Sequence, residues 1–469
     1  MIIENKKKNK VTVLSVWCII KKEFMLKKML YAILLMPMFV VAQHTIKGTF
    51  SPAEDFEYAI LYKVTPTTSL YVANTQVDKK GNFEFQLDST ITKGMYRLVY
   101  AVPQEEFNFD IIYNAKEDVS LTFNTETGVK YNTSVENTLI NSYTTSMSMV
   151  SQSIGNFYRQ QSTDTLALAA IFKTQKETQV EYGKAAEGTI ALHFIKANSP
   201  YIPEGFEDIS TYIKNLKAHF FDHVDFDNEI LQSSNFLIER SLNYVFGMTS
   251  KEDNEVISYE KNIDEVYAAM KDANPVIKST LLEILWQQMV DANFEAVANY
   301  IADTYLIEIA QTLNDIELVD GLTLFKSLSI GNKAPEFNVD LGEGVNKTEV
   351  SLYDLDMAQE YVVVFWSSTC SHCLNEIPKL QTYIKSMSEG KVKVIAVGLE
   401  DETTLSLWEK AIVNYPEFIH VLGFGKWNNE IGNSYNVTAT PTYYILNANK
   451  KIIAKPYDFE AFKKYMDQK

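Results

Sequence analysis

The sequence predicts a multidomain chain of α+β and α/β class, with a β-sandwich-like amino-terminal domain, a middle helical domain and a carboxy-terminal α/β domain. Three observations predict it. Apolar residues alternate with polar ones over 43–130, recur at helical spacing over 131–328, and gather into short runs separated by helical stretches over 329–469. At roughly 100 to 200 residues per domain, 469 residues also need more than one core.

In the first domain, Phe83, Phe85 and Leu87 alternate with polar neighbours after the turn Asp78-Lys79-Lys80-Gly81. The runs 59–64, 96–102, 110–113 and 120–123 are rich in β-branched and aromatic residues, and the pattern reads as a small antiparallel β domain. In the second domain, Ile209, Tyr212, Ile213, Leu216 and Phe220 share one helical face. So do Leu282, Leu285 and Met289, followed by Phe294, Val297 and Ile301. Pro200, Pro203 and Pro275 mark breaks, because proline lacks the amide that continues a helix. In the third domain, 361–366, 392–397, 419–424 and 442–446 read as buried strands, with a last helix over 459–466.

Composition narrows the function. The formal net charge is -17, and eight Lys against two Glu in residues 1–42 leave the remainder more acidic still. Such a surface repels phosphate backbones, which argues against nucleic acid as a partner. Lys27 and Lys28 precede an apolar run over 29–42, and Val40 with Ala42 supplies the small-residue pattern read before cleavage at Gln43. That run is about 14 residues, short of the roughly 20 that span a bilayer, so a cleaved export signal without stable membrane insertion is expected. Met25 is the better start, and residues 1–24 read as an upstream extension. The mature chain is then expected in the periplasm.

Only Cys18, Cys370 and Cys373 occur, and Cys18 falls in the leader. Disulfide staples would need more cysteines at wider spacing, so the remaining pair reads as reactive. The run 362–366 is a buried strand leading through Ser367-Ser368-Thr369 to Cys370-Ser371-His372-Cys373, placed where a helix begins. Two intervening residues there let the sulfurs reach bonding distance, with Cα atoms about 5 to 6 Å apart. Unpaired amides and the positive end of the helix dipole favour a thiolate at Cys370, the nucleophile. Cys373, one turn in, is shielded and serves as the resolving thiol. An imidazole at His372 between them would favour the thiolate of Cys370.

On these residues the stretch from about Ile330 to the end resembles the TlpA and ResA group of the thioredoxin superfamily. Gly331-Asn332-Lys333-Ala334-Pro335, Ser351-Leu352-Tyr353-Asp354-Leu355, Phe365-Trp366, the dithiol and Pro441 carry the likeness. It implies a thioredoxin fold over 329–469 and exported thiol-disulfide exchange, most often as a reductase of protein or peptide disulfides. Electrons would come from a membrane or periplasmic donor, with no metal or organic cofactor. Thr440-Pro441 stands where that fold carries a cis proline, so Thr440 and Pro441 are expected to position substrate. Trp366 is grouped with them, packing beside the dithiol rather than reacting. Glu376 and Pro378 fall where the group has Glu and Pro, and Glu376, a turn beyond Cys373, is expected to relay its proton. One position departs from ordinary thioredoxin: Val364 replaces the acid two residues before the Trp, which leaves Glu376 as the substitute.

Rival readings are weaker. A zinc knuckle would need a second ligand pair near the dithiol. His219 and His223 have the i, i+4 spacing of metal ligands, but their surroundings suit the end of an amphipathic helix. A thiol peroxidase on the same fold would place a Pro as well as a Thr ahead of its Cys, and here only Thr369 is present. A non-enzymatic exported binding protein with an appended thioredoxin module remains the alternative for the first 330 residues, where no catalytic set stands out.

Overall fold

A computed structural model of the chain describes residues 44–65, 68–104, 106–249, 254–342 and 348–469. The expected leader, with Cys18 and the start at Met25, lies outside them. Among the described residues no helix is long and apolar enough to cross a membrane. The chain divides into two compact units at Val224/Asp225.

The first unit opens with eight strands: β1 (His44–Ser51), β2 (Tyr58–Val64), β3 (Ser69–Gln76), β4 (Asn82–Leu87), β5 (Gly94–Val99), β6 (Asn108–Tyr113), β7 (Val119–Asn124) and β8 (Gly128–Tyr131). They form two four-stranded sheets, ordered β4-β1-β7-β8 and β3-β2-β5-β6. Inward residues of both sheets, among them Phe50, Phe85 and Leu121 from one and Leu61, Tyr96 and Ile111 from the other, build a single core. The turn after β3 works because Gly81 takes φ +83 and returns its amide to Asp78. The expected all-antiparallel pairing is corrected at one place, since β1 and β7 run parallel. Alternation of apolar residues reports which face is buried and is blind to strand direction.

Four helices follow: α1 (Val135–Arg159), α2 (Thr165–Ala185), α3 (Ala191–Ala197) and α4 (Ile209–Ala218). Buried polar groups tie them in. Asn137 bonds both the amide and the carbonyl of Ile112 in β6, at 2.8 and 2.6 Å. Glu136 accepts the amides of Ile190 and Ala191 at the start of α3. On α4 the expected face is only partly covered: Tyr212 is buried, Leu216 and Phe220 are partly buried, and Ile209 and Ile213 are about half exposed.

The second unit begins with helices α5 (Glu229–Gln232), α6 (Phe236–Gly247), α7 (Glu255–Ala269), α8 (Pro275–Asp291), α9 (Glu295–Ile301), α10 (Ile307–Leu313) and α11 (Ile316–Ser327). Helical sequence over 131–328 is therefore shared between the two units. The break expected near Pro275 is found between α7 and α8, and Pro275 begins α8, its missing amide being one the first turn does not use. Leu282, Leu285, Met289, Val297 and Ile301 are all buried.

The chain then enters a hairpin, β9 (Asn338–Leu341) and β10 (Thr348–Ser351), and a βα alternation. Its elements are β11 (Glu360–Trp366), α12 (Ser371–Lys385), β12 (Val392–Glu400), α13 (Leu405–Ile412), β13 (Ile419–Phe424), α14 (Glu430–Ser434), β14 (Thr442–Asn447), β15 (Ile452–Ala454) and α15 (Phe459–Asp467). The sheet order is β13-β12-β11-β14-β15, parallel among β11, β12 and β13 and antiparallel at β14 and β15. Central β11 is apolar throughout because both faces are covered: Tyr361, Val363 and Phe365 enter one core, Val362, Val364 and Trp366 the other. Gly398 in β12 makes room for Trp408 of α13, whose indole would lie 2.1 Å from an added Cβ. Glu295 of α9 accepts the Ile330 amide at 2.7 Å and pairs with Lys455, joining the helices to this sheet.

Candidate active site

At the end of β11 the chain turns through 367–369 into α12, with Cys370 as the helix N-cap. The turn is held from two directions. The Cys370 amide donates to the Ser367 carbonyl at 3.2 Å, and the Ser368 amide donates to the fully buried Glu400 carboxylate at 2.5 Å. The Cys370 sulfur accepts the Cys373 amide at 3.2 Å and lies 3.3 Å from the Thr440 carbonyl, to which its thiol form donates.

The two sulfurs differ in setting. Partial burial opposes ionisation of Cys370, but hydrogen bonds from the Cys373 thiol and amide, with Thr440 and the His372 amide, outweigh it and hold its pKa below the ordinary value. Cys373 is wholly buried, and burial together with its bond to the Cys370 sulfur pushes its thiol up to about 12. One sulfur is therefore poised as a nucleophile while the other keeps its proton. Beside Cys370 lies a cavity of about 160 Å³ lined by Ser367, Thr369, Leu399, Lys426, Trp427 and Thr440.

One turn into α12, the Glu376 carboxylate is 5% exposed. Its Oε2 accepts the Tyr443 hydroxyl at 2.9 Å and the Phe459 amide at 3.2 Å, while Oε1 lies 3.1 Å from His372 Nε2. Phe459 opens α15, so the carboxylate also rests against the positive end of a helix dipole. Burial and then the Glu376 charge raise the pKa of Tyr443, which keeps its hydroxyl a donor. Tyr443 pairs in register with Val364, both in the core that holds Cys373. A phenol on β14 thus stands next to the position where thioredoxins bury an acid.

Residues 330–455 match the AhpC/TSA family. A thiol-disulfide oxidoreductase ResA from Oceanobacillus iheyensis is 29% identical over 128 residues, 27% of this chain and 64% of that protein. Another ResA, from Bacillus cereus, is 27% identical over 142 residues, 29% of this chain and 78% of that protein. The carboxy-terminal domain has a thioredoxin fold and is similar to these thiol-disulfide oxidoreductases, the first of which the chain spans to less than two thirds of its length. Among solved structures, a domain of a possible thiol-disulfide isomerase from Cytophaga hutchinsonii is 31% identical, covering 30% of this chain and 92% of that one, with a TM-score of 0.25.

Within this thioredoxin-fold domain, Cys370, Cys373, Glu376 and Thr440 gather at the mouth of α12, and the Thr440-Pro441 peptide is cis. Trp366, grouped with the substrate-positioning residues from sequence, needs correction. Its side chain is 0% exposed and packs edge-on to Tyr415, so it offers no surface to a substrate. The His372 imidazole, 63% exposed, engages Glu376; what it lends Cys370 is its backbone amide. His219 lies past the end of α4, bonded to Asp222 at 2.6 Å and stacked on Tyr201. Among the described residues no group of three or more His, Cys, Asp or Glu could hold a metal ion.

Three residues escaped the sequence reading. Glu400 ends an apolar strand, and a charge in that position is itself a signal. Tyr443 is read as ordinary strand core unless the strand is registered against Val364. Trp427 is 54% exposed in a short 3-10 turn, Lys426–Asn428, where Gly425 and Lys426 take φ +99 and +50, and nothing in its periodicity marks it.

Proposed function

We propose that the protein is a periplasmic thiol-disulfide oxidoreductase that reduces protein or peptide disulfides through Cys370 and Cys373. The opposed settings of the two sulfurs, one ionisable and partly exposed, the other protonated and buried, carry this reading. Cys370 thiolate attacks a substrate disulfide, forming a mixed disulfide and releasing one substrate sulfur as a thiolate. Cys373 then loses its proton to Glu376 and attacks Cys370, forming the Cys370-Cys373 disulfide and releasing the second substrate thiol. The substrate gains two electrons, and an exported or membrane dithiol donor restores the enzyme. The cavity beside Cys370, edged by Thr440 and Trp427, receives the substrate chain.

Replacing Cys373 by Ala tests it, because the mixed disulfide can then form but not resolve. Exported C373A protein is expected to accumulate covalent adducts on Cys370 that dithiothreitol releases. No adduct, together with wild-type protein inert toward insulin disulfides, would remove the reading. The AhpC/TSA match keeps one second reading, a thiol peroxidase. Rapid, saturating oxidation of Cys370 by hydrogen peroxide in stopped flow would favour it over disulfide exchange.

A further inference from the structure

The proposed reaction leaves the His372 side chain, between the two cysteines, without a task, and its imidazole Nε2 lies 3.1 Å from Glu376 Oε1. The resolving step poses a separate problem. Cys373 is wholly buried, yet its proton must leave before it attacks. Glu376 lies one turn on along α12, itself buried, and its two oxygens look in different directions. Oε2 faces inward, to the Tyr443 hydroxyl and the Phe459 amide; Oε1 faces His372, whose ring is mostly in solvent. The Tyr443 hydroxyl donates to the carboxyl at 2.9 Å, and its ring shares the core that holds Cys373.

We propose that His372 is the outer end of a proton path, carrying to solvent the proton that Cys373 gives to Glu376. This inference rests on the reading of Cys373 as the resolving thiol. The groups facing the carboxyl are His372 from α12, Tyr443 from β14 and the Phe459 amide of α15, with Asp458, the cap of α15, acting on Tyr443; Cys373 lies one turn earlier on α12. The Cys373 proton passes to the carboxylate, and the Cys373 thiolate attacks Cys370, expelling the substrate sulfur. In the Nδ1–H tautomer of the ring, Nε2 accepts the proton of the neutral carboxyl while Nδ1 releases its own to water, and proton exchange with water then returns the ring to that tautomer. The Glu376 carboxylate is restored, and one proton has moved from Cys373 to solvent. Tyr443 and the Phe459 amide are positioning groups that hold Oε2 and leave Oε1 to the imidazole.

The two chemical steps can be separated with dithionitrobenzoate as the probe. Reduced full-length protein carrying Cys18→Ser releases one coloured thiolate when Cys370 attacks the reagent and a second when Cys373 resolves the mixed disulfide. In His372→Gln, which keeps a hydrogen-bond donor toward Glu376 but cannot pass a proton between two ring nitrogens, the second release is expected to slow about tenfold near neutral pH. The first release should keep its rate and pH profile, and added imidazole should restore the second. A second release as fast as in the wild type would overturn the proposal. So would equal slowing of both releases, which would return His372 to the role of tuning Cys370. Wild-type protein that never gives a second release would instead remove the resolving role of Cys373, and the proposal with it.

Discussion

At the residue scale the site is a division of labour between two thiols and one carboxylate. Cys370 caps α12 with its sulfur and is held toward ionisation by hydrogen bonds. Cys373 is pushed up to about 12, and in the proposed reaction Glu376, one turn on along α12, takes the proton it otherwise keeps. Glu376→Gln is therefore expected to slow the resolving step by about 100-fold while leaving the first attack by Cys370 near its wild-type rate, as two-phase release of a chromogenic thiol will show. Equal slowing of both phases would mean that Glu376 serves the turn as a whole. Much of this was legible because a Cys-x-x-C after a buried strand has few other uses. The bonding of His372 was not, since a side chain between two cysteines can turn to either end of the first helical turn. Glu400 and Tyr443 depend on register between strands distant in sequence, which no local pattern carries.

At the scale of elements, the site depends on how tightly α12 and the end of β12 are seated. Gly398 lets Trp408 lie across β12, two residues from the Glu400 carboxylate that pins the turn before Cys370. Gly398→Ala should push the indole out, lower the stability of the domain by about 1 to 3 kcal/mol in chemical denaturation, and blunt Cys370 reactivity as the turn loosens. Unchanged stability would mean that Trp408 can move without cost. Strands β11, β12 and β14 were readable from runs of apolar residues, because a strand covered on both faces has few polar positions to confuse the pattern. Strand β8 and the β9/β10 hairpin were not, being short and only partly buried. The face expected on α4 is there but only partly covered: Ile209 and Ile213 keep the helical spacing and remain half-exposed while Tyr212 is buried, so spacing alone does not report burial.

At the scale of the whole molecule, helices α5 to α11 share a compact unit with the thioredoxin-fold domain, and Glu295 joins the two through the Ile330 amide and Lys455. A fragment spanning 225–469 is expected to fold and to keep Cys370 reactivity within about twofold. One spanning 329–469 should keep the chemistry but lose about 2 kcal/mol or more, as its charge-assisted bonds to Glu295 are removed. Thermal unfolding of the two fragments beside the full chain checks this; equal midpoints would show the helices to be passengers. Should dithiol activity disappear from both fragments, residues 44–224 would belong to the chemistry and not to recognition.

The account rests on a thiol held ionisable at the mouth of α12, and alkylation of Cys370 against pH tests that most directly. In reduced full-length protein, iodoacetamide modification of Cys370, followed by peptide mass mapping, should rise to its plateau with a midpoint below that of an ordinary cysteine, while Cys373 stays unmodified across the range. Because the pKa of Cys370 is lowered, its reactivity should persist as pH falls and be lost only below the ordinary thiol midpoint. A midpoint at or above the ordinary cysteine value, or a Cys370 that resists alkylation in the folded protein, would contradict the account.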